Sequence, residues 1–371
     1  MKKIDLSIYK EYKQYFIFYD IEIKKENNNK EEFLESKKIA PSSYRRAKNS
    51  GNKIGKEILE KLNYEFSFNM INDEIIDELE CKLNEIYYDF YYKKNHVYED
   101  SFKWIDEQLK NSYIIYPVLL VFKLFMLISM DSSPDKIMIE YKKIYEDVRK
   151  YTKFFNEDIL DIYEIIDIFF QDEIDDEYLS RKYSNELSCY TLSWKCLRKR
   201  KYIEAIYFAE KIKNKFILEE NIKRVFYINL NLMSAYNNIG RYEDCYFLAK
   251  KQMLALEAYK YYDFEYKIAQ KHYIIACLGL GYYFEIINLL ELRQNFNKTE
   301  LWSLLFSKYK ISKKDYEELL TLLLASKDCT DSDSEYLTLM DNIIRKKDKN
   351  LLETLTNDNV NKCLIKIIKK M

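Results

Sequence analysis

A four-residue pattern recurs along the chain: Tyr202-Ile203-Glu204-Ala205, Tyr242-Glu243-Asp244-Cys245, Tyr283-Phe284-Glu285-Ile286 and Tyr316-Glu317-Glu318-Leu319. Each copy reads aromatic, any residue, acid, then a small or aliphatic residue. The copies are 40, 41 and 33 residues apart. Such a period constrains the fold strongly. A unit this short cannot bury its apolar face alone and must stack on its neighbours. A fainter fifth copy begins at Tyr98.

The units are helical. Five glycines and three prolines in 371 residues leave few breakers, and Lys, Glu, Leu and Ile are abundant. The pattern predicts helix pairs over 182–199 with 202–215, 223–239 with 242–259, 264–280 with 283–293, and 299–309 with 313–326. Gly240 and Gly281 stand where a tight turn joins the helices of a pair. The aromatic opening each second helix should wedge against the end of the first helix. The small residue three places later should mark a close helix crossing. Leu232, Ala235 and Tyr236 recur as Tyr273, Ala276 and Cys277. A tail after Ser332 is expected to cap the array, which would otherwise expose an apolar face.

The first 66 residues differ in character. Residues 37–56 contain seven Lys or Arg and no acid. Glu31 to Ser36 predicts a short helix with Phe33 and Leu34 inward, followed by a turn with Ile39 buried. A second helix starts at Pro41, with Tyr44 and Ala47 inward. Lys38, Ser42, Ser43, Arg45, Arg46 and Lys48 are then left for the outer face. Serines and arginines on such a helix suit phosphates and the base edges of a DNA major groove. Lys38 occupies the turn position where glycine is usual, and Ala40 the place of a capping Ser or Thr.

Several function classes find no support. Net charge is −1, so the chain as a whole is not a nucleic-acid coat. Residues 157–177 hold ten acids and no base, and are expected to form a solvated face. Seven scattered cysteines with no CxxC point to reduced, buried thiols in the cytoplasm. The apolar run 113–130 is interrupted by Pro117 and Lys123, so it is expected to be a buried helix and not a membrane span. His96 and His272 stand apart, and no phosphate loop, nucleophile elbow or zinc motif occurs. No enzyme, metal or cofactor is expected.

The stretches RKYIEAIYFAEKI and GRYEDCYFLAKKQML resemble the tetratricopeptide repeat, at a period longer than its usual ~34 residues. With the N-terminal basic element, the chain resembles the peptide-pheromone receptors of Gram-positive bacteria and their phages, the Rap/Rgg/NprR/PlcR/PrgX superfamily, which includes the arbitrium receptors. The resemblance implies an all-α chain: a helix-turn-helix domain over 1–66, then a right-handed α-solenoid over 67–371. It implies a cytoplasmic homodimer that binds a double-stranded DNA operator and is switched by a short signalling peptide in the groove of the repeats. Asparagine suits an extended peptide backbone, since one amide both donates and accepts. Asn231, Ser234, Asn237 and Asn238 are the expected contacts, with Tyr190, Trp194 and Arg198 from the preceding pair and Lys271 and His272 from the next. The alternative is a repeat module that captures a partner protein without binding DNA.

Overall fold

The computed structural model describes residues 3–26, 29–50, 53–92, 98–130, 134–175, 179, 185–258, 263–291, 296–325, 331–346 and 367. Among them are 19 α-helices, one 3-10 turn and no β-strand; a single bridge joins Asn69 and Tyr113. The chain is all-α, and its helix order is consistent with an α-solenoid. It divides into two compact units, Met1–Lys195 and Cys196–Met371. Helical pairs occur in both, and the expected helix-turn-helix segment belongs to the first.

The first unit contains α1 (Tyr12–Glu26), α2 (Lys30–Ser36), α3 (Pro41–Ser50), α4 (Lys53–Phe66) and α5 (Asp73–Tyr91). It continues with α6 (Tyr98–Lys110), α7 (Tyr116–Met130), α8 (Pro134–Glu140), α9 (Lys142–Arg149) and α10 (Glu157–Phe170). The apolar run becomes α7, and Val118, Leu119, Val121, Phe122 and Phe125 are fully buried there. α7 packs on α5, α6, α8, α9 and α10. Its one charge, Lys123, is met by Asp106 of α6 at 2.6 Å. No helix among the described residues is long and apolar enough to cross a membrane.

The N-terminal strand-like segment is sewn to later helices. Asn84 of α5 accepts from the Ile4 amide at 2.8 Å and donates to its carbonyl at 2.9 Å. Asp158 accepts from the Asp5 amide at 2.9 Å, and Asn156 donates to the Asp5 carbonyl at 2.6 Å. The 157–177 acids are therefore not all solvated: Asp167 also accepts from the Tyr145 hydroxyl at 2.6 Å. Asp176 and Glu177 lie outside the described residues.

The division falls inside α11 (Glu186–Arg198). The second unit then runs through α12 (Tyr202–Leu218), α13 (Ile222–Ile239), α14 (Tyr242–Glu257), α15 (Asp263–Leu280), α16 (Tyr283–Leu290), α17 (Lys298–Ile311), α18 (Lys313–Leu324) and α19 (Asp331–Lys346). From α12 onward each helix packs on its successor, and α13, α15 and α17 also touch in sequence. This is the contact pattern of a repeat array. The expected C-terminal cap is seen only as α19, which packs on α17 and α18; the rest of that tail lies outside the described residues.

The turns repeat in detail. Gly240 (φ 84°) and Gly281 (φ 76°) are left-handed, as is Arg200 (φ 60°) at the same place in the preceding turn. After each, the next amide closes on the carbonyl five residues back: Lys201 to Cys196 at 2.9 Å, Arg241 to Tyr236 at 2.9 Å, Tyr282 to Cys277 at 2.8 Å. Tyr202, Tyr242 and Tyr283 are then the first residues of their helices. Tyr316 is not: Ser312 caps the amide of Asp315 at 3.2 Å, and the helix starts at Lys313.

The packing adds one contact to the expected ones and departs from them at one cysteine. Tyr242 reaches beyond its own pair to Gly279, near the end of the first helix of the following pair. A Cβ on Gly279 would sit 2.5 Å from the Tyr242 ring. The small residue does mark a crossing, since the Cys245 thiol lies between the carbonyls of Met233 on α13 (3.5 Å) and His272 on α15 (3.7 Å). Cys189, Cys196, Cys245 and Cys277 are buried, but Cys81 is exposed on α5; Cys329 and Cys363 lie outside the described residues.

The Gly279 contact makes a prediction. Gly279→Ala overpacks the pair interface and should destabilise by about 1–3 kcal/mol. In a Tyr242→Ala background the same change should be neutral or stabilising, because alanine favours helix over glycine by about 1 kcal/mol. Urea denaturation of the four proteins tests this, and a stabilised single Gly279→Ala variant would remove the wedge from the account.

Candidate functional site

The basic element is a short helix, a turn and a second helix. Asn29 caps α2 by accepting from the Glu32 amide at 3.4 Å. α2 ends at Ser36 with Lys37 as its C-cap, and Lys38 takes φ 56°. The Ile39 amide then bonds to the Leu34 carbonyl at 2.8 Å and the Lys38 amide to Glu35 at 2.9 Å, which satisfies the last carbonyls of the helix. Leu34 and Ile39 are both buried beside this turn. Lys38 thus does the backbone work of the glycine missing from this position.

α3 starts at Pro41, its first turn closed by the Ala40 carbonyl, which accepts from Ser43 and Tyr44. Tyr44 and Ala47 are buried, with Tyr44 edge-on to Phe16 at 5.1 Å. Ser42, Arg45 and Arg46 are exposed, as is Lys38, while Ser43 and Lys48 are half-buried. Asp20 of α1 braces the helix from behind. It accepts from the Tyr44 hydroxyl at 2.8 Å and from Lys48 at 2.6 Å, and it also pairs with Lys30. Burial opposes ionisation of Asp20, but the hydrogen bonds from Lys30, Lys48 and Tyr44 outweigh it and hold the carboxyl below its usual range. Arg45 meets Glu31 at 2.7 Å with both side chains mostly in solvent, a pair that contributes little. The Arg46 guanidinium turns back to the Ser42 carbonyl at 3.4 Å.

The expected peptide contacts are distributed over both units. In the first, Tyr190 and Trp194 of α11 are half-buried, and Trp194 stacks on Phe169 at 5.7 Å. In the second, Arg198 and Lys271 are exposed. Asn231 and Asn237 of α13 are buried, and Ser234 and Asn238 are half-buried. The structure brings Asn237 to His272: its amide lies 3.3 Å from the ring Nδ1 and donates to the His272 carbonyl at 3.2 Å. Asn238 is turned back on its own helix, donating to the Ser234 carbonyl at 2.8 Å.

Sequence reasoning missed two further amides. Asn229 of α13 and Gln252 of α14 are buried, and Gln252 donates to the Phe226 carbonyl at 3.3 Å. The side-chain carbonyl oxygens of Asn229, Asn237 and Gln252 accept no hydrogen bond. A buried acceptor left alone costs about 1–3 kcal/mol. A helical spacing of amides on facing helices was the available signal, and in an Asn-rich chain it is weak. A cavity of about 420 Å³ between α12, α13 and α14 is lined by Glu210, Lys213, Asn214, Leu232, Tyr236, Asp244 and Leu248, none of them among the expected contacts.

Among the described residues no three His, Cys, Asp or Glu side chains converge as a metal site. Burial, with the Lys271 charge beside it, lowers the His272 pKa to about 4. Burial raises the Cys196 and Cys277 thiols to about 12, so neither is a nucleophile at neutral pH. No protein-family model, curated protein or solved structure matches the chain.

Two outcomes are expected. His272 is neutral when folded and binds a proton more readily when unfolded, where its pKa is about 6.5. Its contribution to stability is therefore full above pH 6.5 and is lost progressively as pH falls toward 4. Subtracting the stability profile of His272→Asn from that of the wild type should reveal this slope; parallel profiles would refute it. Separately, Lys38→Gly should raise stability by roughly 1 kcal/mol, since glycine enters the left-handed region without steric cost. A lower denaturation midpoint would mean that the lysine side chain itself holds the turn.

Proposed function

We propose that the protein is a DNA-binding transcriptional regulator switched by a short signalling peptide. The observation that carries this reading is α3: Ser42, Arg45 and Arg46 exposed on one short helix, buried Tyr44 and Ala47 behind them, and Asp20 bracing the base. An exposed guanidinium pair on a rigid helix suits bidentate recognition of guanine, with Lys38, Ser43 and Lys48 toward the phosphates. On this reading the helix pairs form a right-handed α-solenoid like that of the pheromone-receptor superfamily, and the protein acts as a cytoplasmic homodimer on a two-fold operator. The peptide lies along the asparagine-bearing helices. The buried amide oxygens of Asn229 and Asn237 that accept no bond support this, as an extended backbone supplies the donors they lack. Such a peptide acts as a switch only through different affinities for two conformations.

One observation favours a second reading, a repeat module that captures a partner protein. Ile203 and Tyr207 on α12, Phe247 and Leu254 on α14, and Phe284 on α16 are each at least 60% exposed. Where exposed apolar side chains join into one patch, the patch marks a protein, ligand or membrane contact.

Binding of the purified protein to DNA flanking its own gene, followed by fluorescence anisotropy across a salt series, separates the two. The regulator binds selectively, and Arg45→Ala/Arg46→Ala abolishes the selectivity and flattens the salt slope by about one for each phosphate contact removed. Affinity equal to that for random DNA, unchanged by the double substitution with and without candidate peptides, would leave the partner-protein reading.

A further inference from the structure

A cleft of about 950 Å³ opens in the first unit between α1, the end of α3 and the turn that follows α9. It is lined by Lys24 and Lys25 of α1, Lys48 of α3, and Lys150 and Lys153 of the turn, with Asp20 the one carboxylate in the wall. Ile17 and Ile21 provide an apolar floor, and Thr152 a hydroxyl. We propose that this cleft binds a polyphosphate group, as carried by a nucleotide-sized small molecule.

Three features carry the inference. The lysines come from three separate stretches of chain, so their convergence is a product of the fold and not the solvated face of one helix. The neighbouring acids do not balance them: Lys48 pairs with Asp20 at 2.6 Å, Lys150 with Asp147 at 2.7 Å, and Lys25 with Glu22 at 3.2 Å. Lys24 and Lys153 have no ion pair among the described residues. Like charges held close cost free energy unless an anion joins them, and an ammonium serves phosphate as a point charge. The volume lies within the ~300–1,000 Å³ range of small-molecule sites. The apolar floor beside a cationic wall suits a ligand with one flat or apolar end and one anionic end. Duplex DNA fits less well: its surface is convex, and the exposed arginines of α3 lie outside this cleft.

The site is independent of the reading of α3 as a DNA reader, apart from sharing Lys48. Calorimetric titration of the full-length protein with inorganic tripolyphosphate and with ATP tests it, beside Lys24→Ala/Lys153→Ala. Both of these lysines are exposed, so the variant should melt at the wild-type temperature. Saturable binding of at least one probe, weakened at least tenfold in the variant, is the expected result. Equal affinities would assign recognition to the phosphate chain alone, and tighter ATP binding would bring in the Ile17–Ile21 floor. Saturation by neither probe, or binding unaffected by the variant, overturns the proposal. So does a variant that loses affinity for random duplex DNA while neither probe binds the wild type, which would give the lysines to a nucleic-acid backbone.

Discussion

The buried carboxylate of Glu22 fixes the first unit. It accepts from the Tyr116 hydroxyl at 3.3 Å and from Lys25 at 3.2 Å, and it also accepts from Tyr151. Tyr116 and Tyr151 bond each other as well, and Lys25 sits over the Tyr151 ring at 4.5 Å. A carboxylate so placed costs several kcal/mol in lost hydration unless its lone pairs are all met. The three donors come from α1, α7 and the turn after α9, so they can meet it in one arrangement only. Asp20, two residues earlier on α1, does the same for α2 and α3 through Lys30, Lys48 and Tyr44. Because α1 carries both carboxylates, the position of α3 is set relative to α7 and not by a flexible tether.

This arrangement bears on how a signal would reach the basic helix. The route from the end of α3 to the turn after α9 passes through two charged networks, a half-buried one at Asp20 and a buried one at Glu22, separated by less than one turn of α1. Packed polar networks have few alternative arrangements, so a displacement at one end is either resisted or transmitted whole.

Much of the fold was legible because it follows from local pattern. Helix starts at Tyr202, Tyr242 and Tyr283, the buried faces of α2 and α3, and the turns at Gly240 and Gly281 were all written in residue type and spacing. Arg200 and Lys38 were less legible, since a left-handed lysine or arginine is tolerated only where the turn bonds on either side demand it. The reach of Tyr242 to Gly279 was not legible, because spacing locates a ring on its helix, not every helix it touches. Of the candidate site, the exposure of Arg45 and Arg46 followed from the inward pattern of Tyr44 and Ala47. The burial of Asn229, Asn231 and Asn237 did not, because polar residues are expected outward and only the stacking of α13 against its neighbours encloses them. The lysine cleft was invisible too, because the lysines of α1 and α3 lie more than a hundred residues from Lys150 and Lys153.

The neighbour-only packing of the second unit has a mechanical side. From α12 to α19 the substantial contacts join helices at most two places apart, and among the described helices none packs from one end of the run to the other. Tension along the chain would therefore peel helices away singly from an end, each step giving way at a modest force. A knot of distant contacts, such as the Glu22 cluster, would instead hold until it broke at once. A machine that unfolds the protein by pulling would meet a graded resistance along α12 to α19 and an abrupt one at the Glu22 cluster.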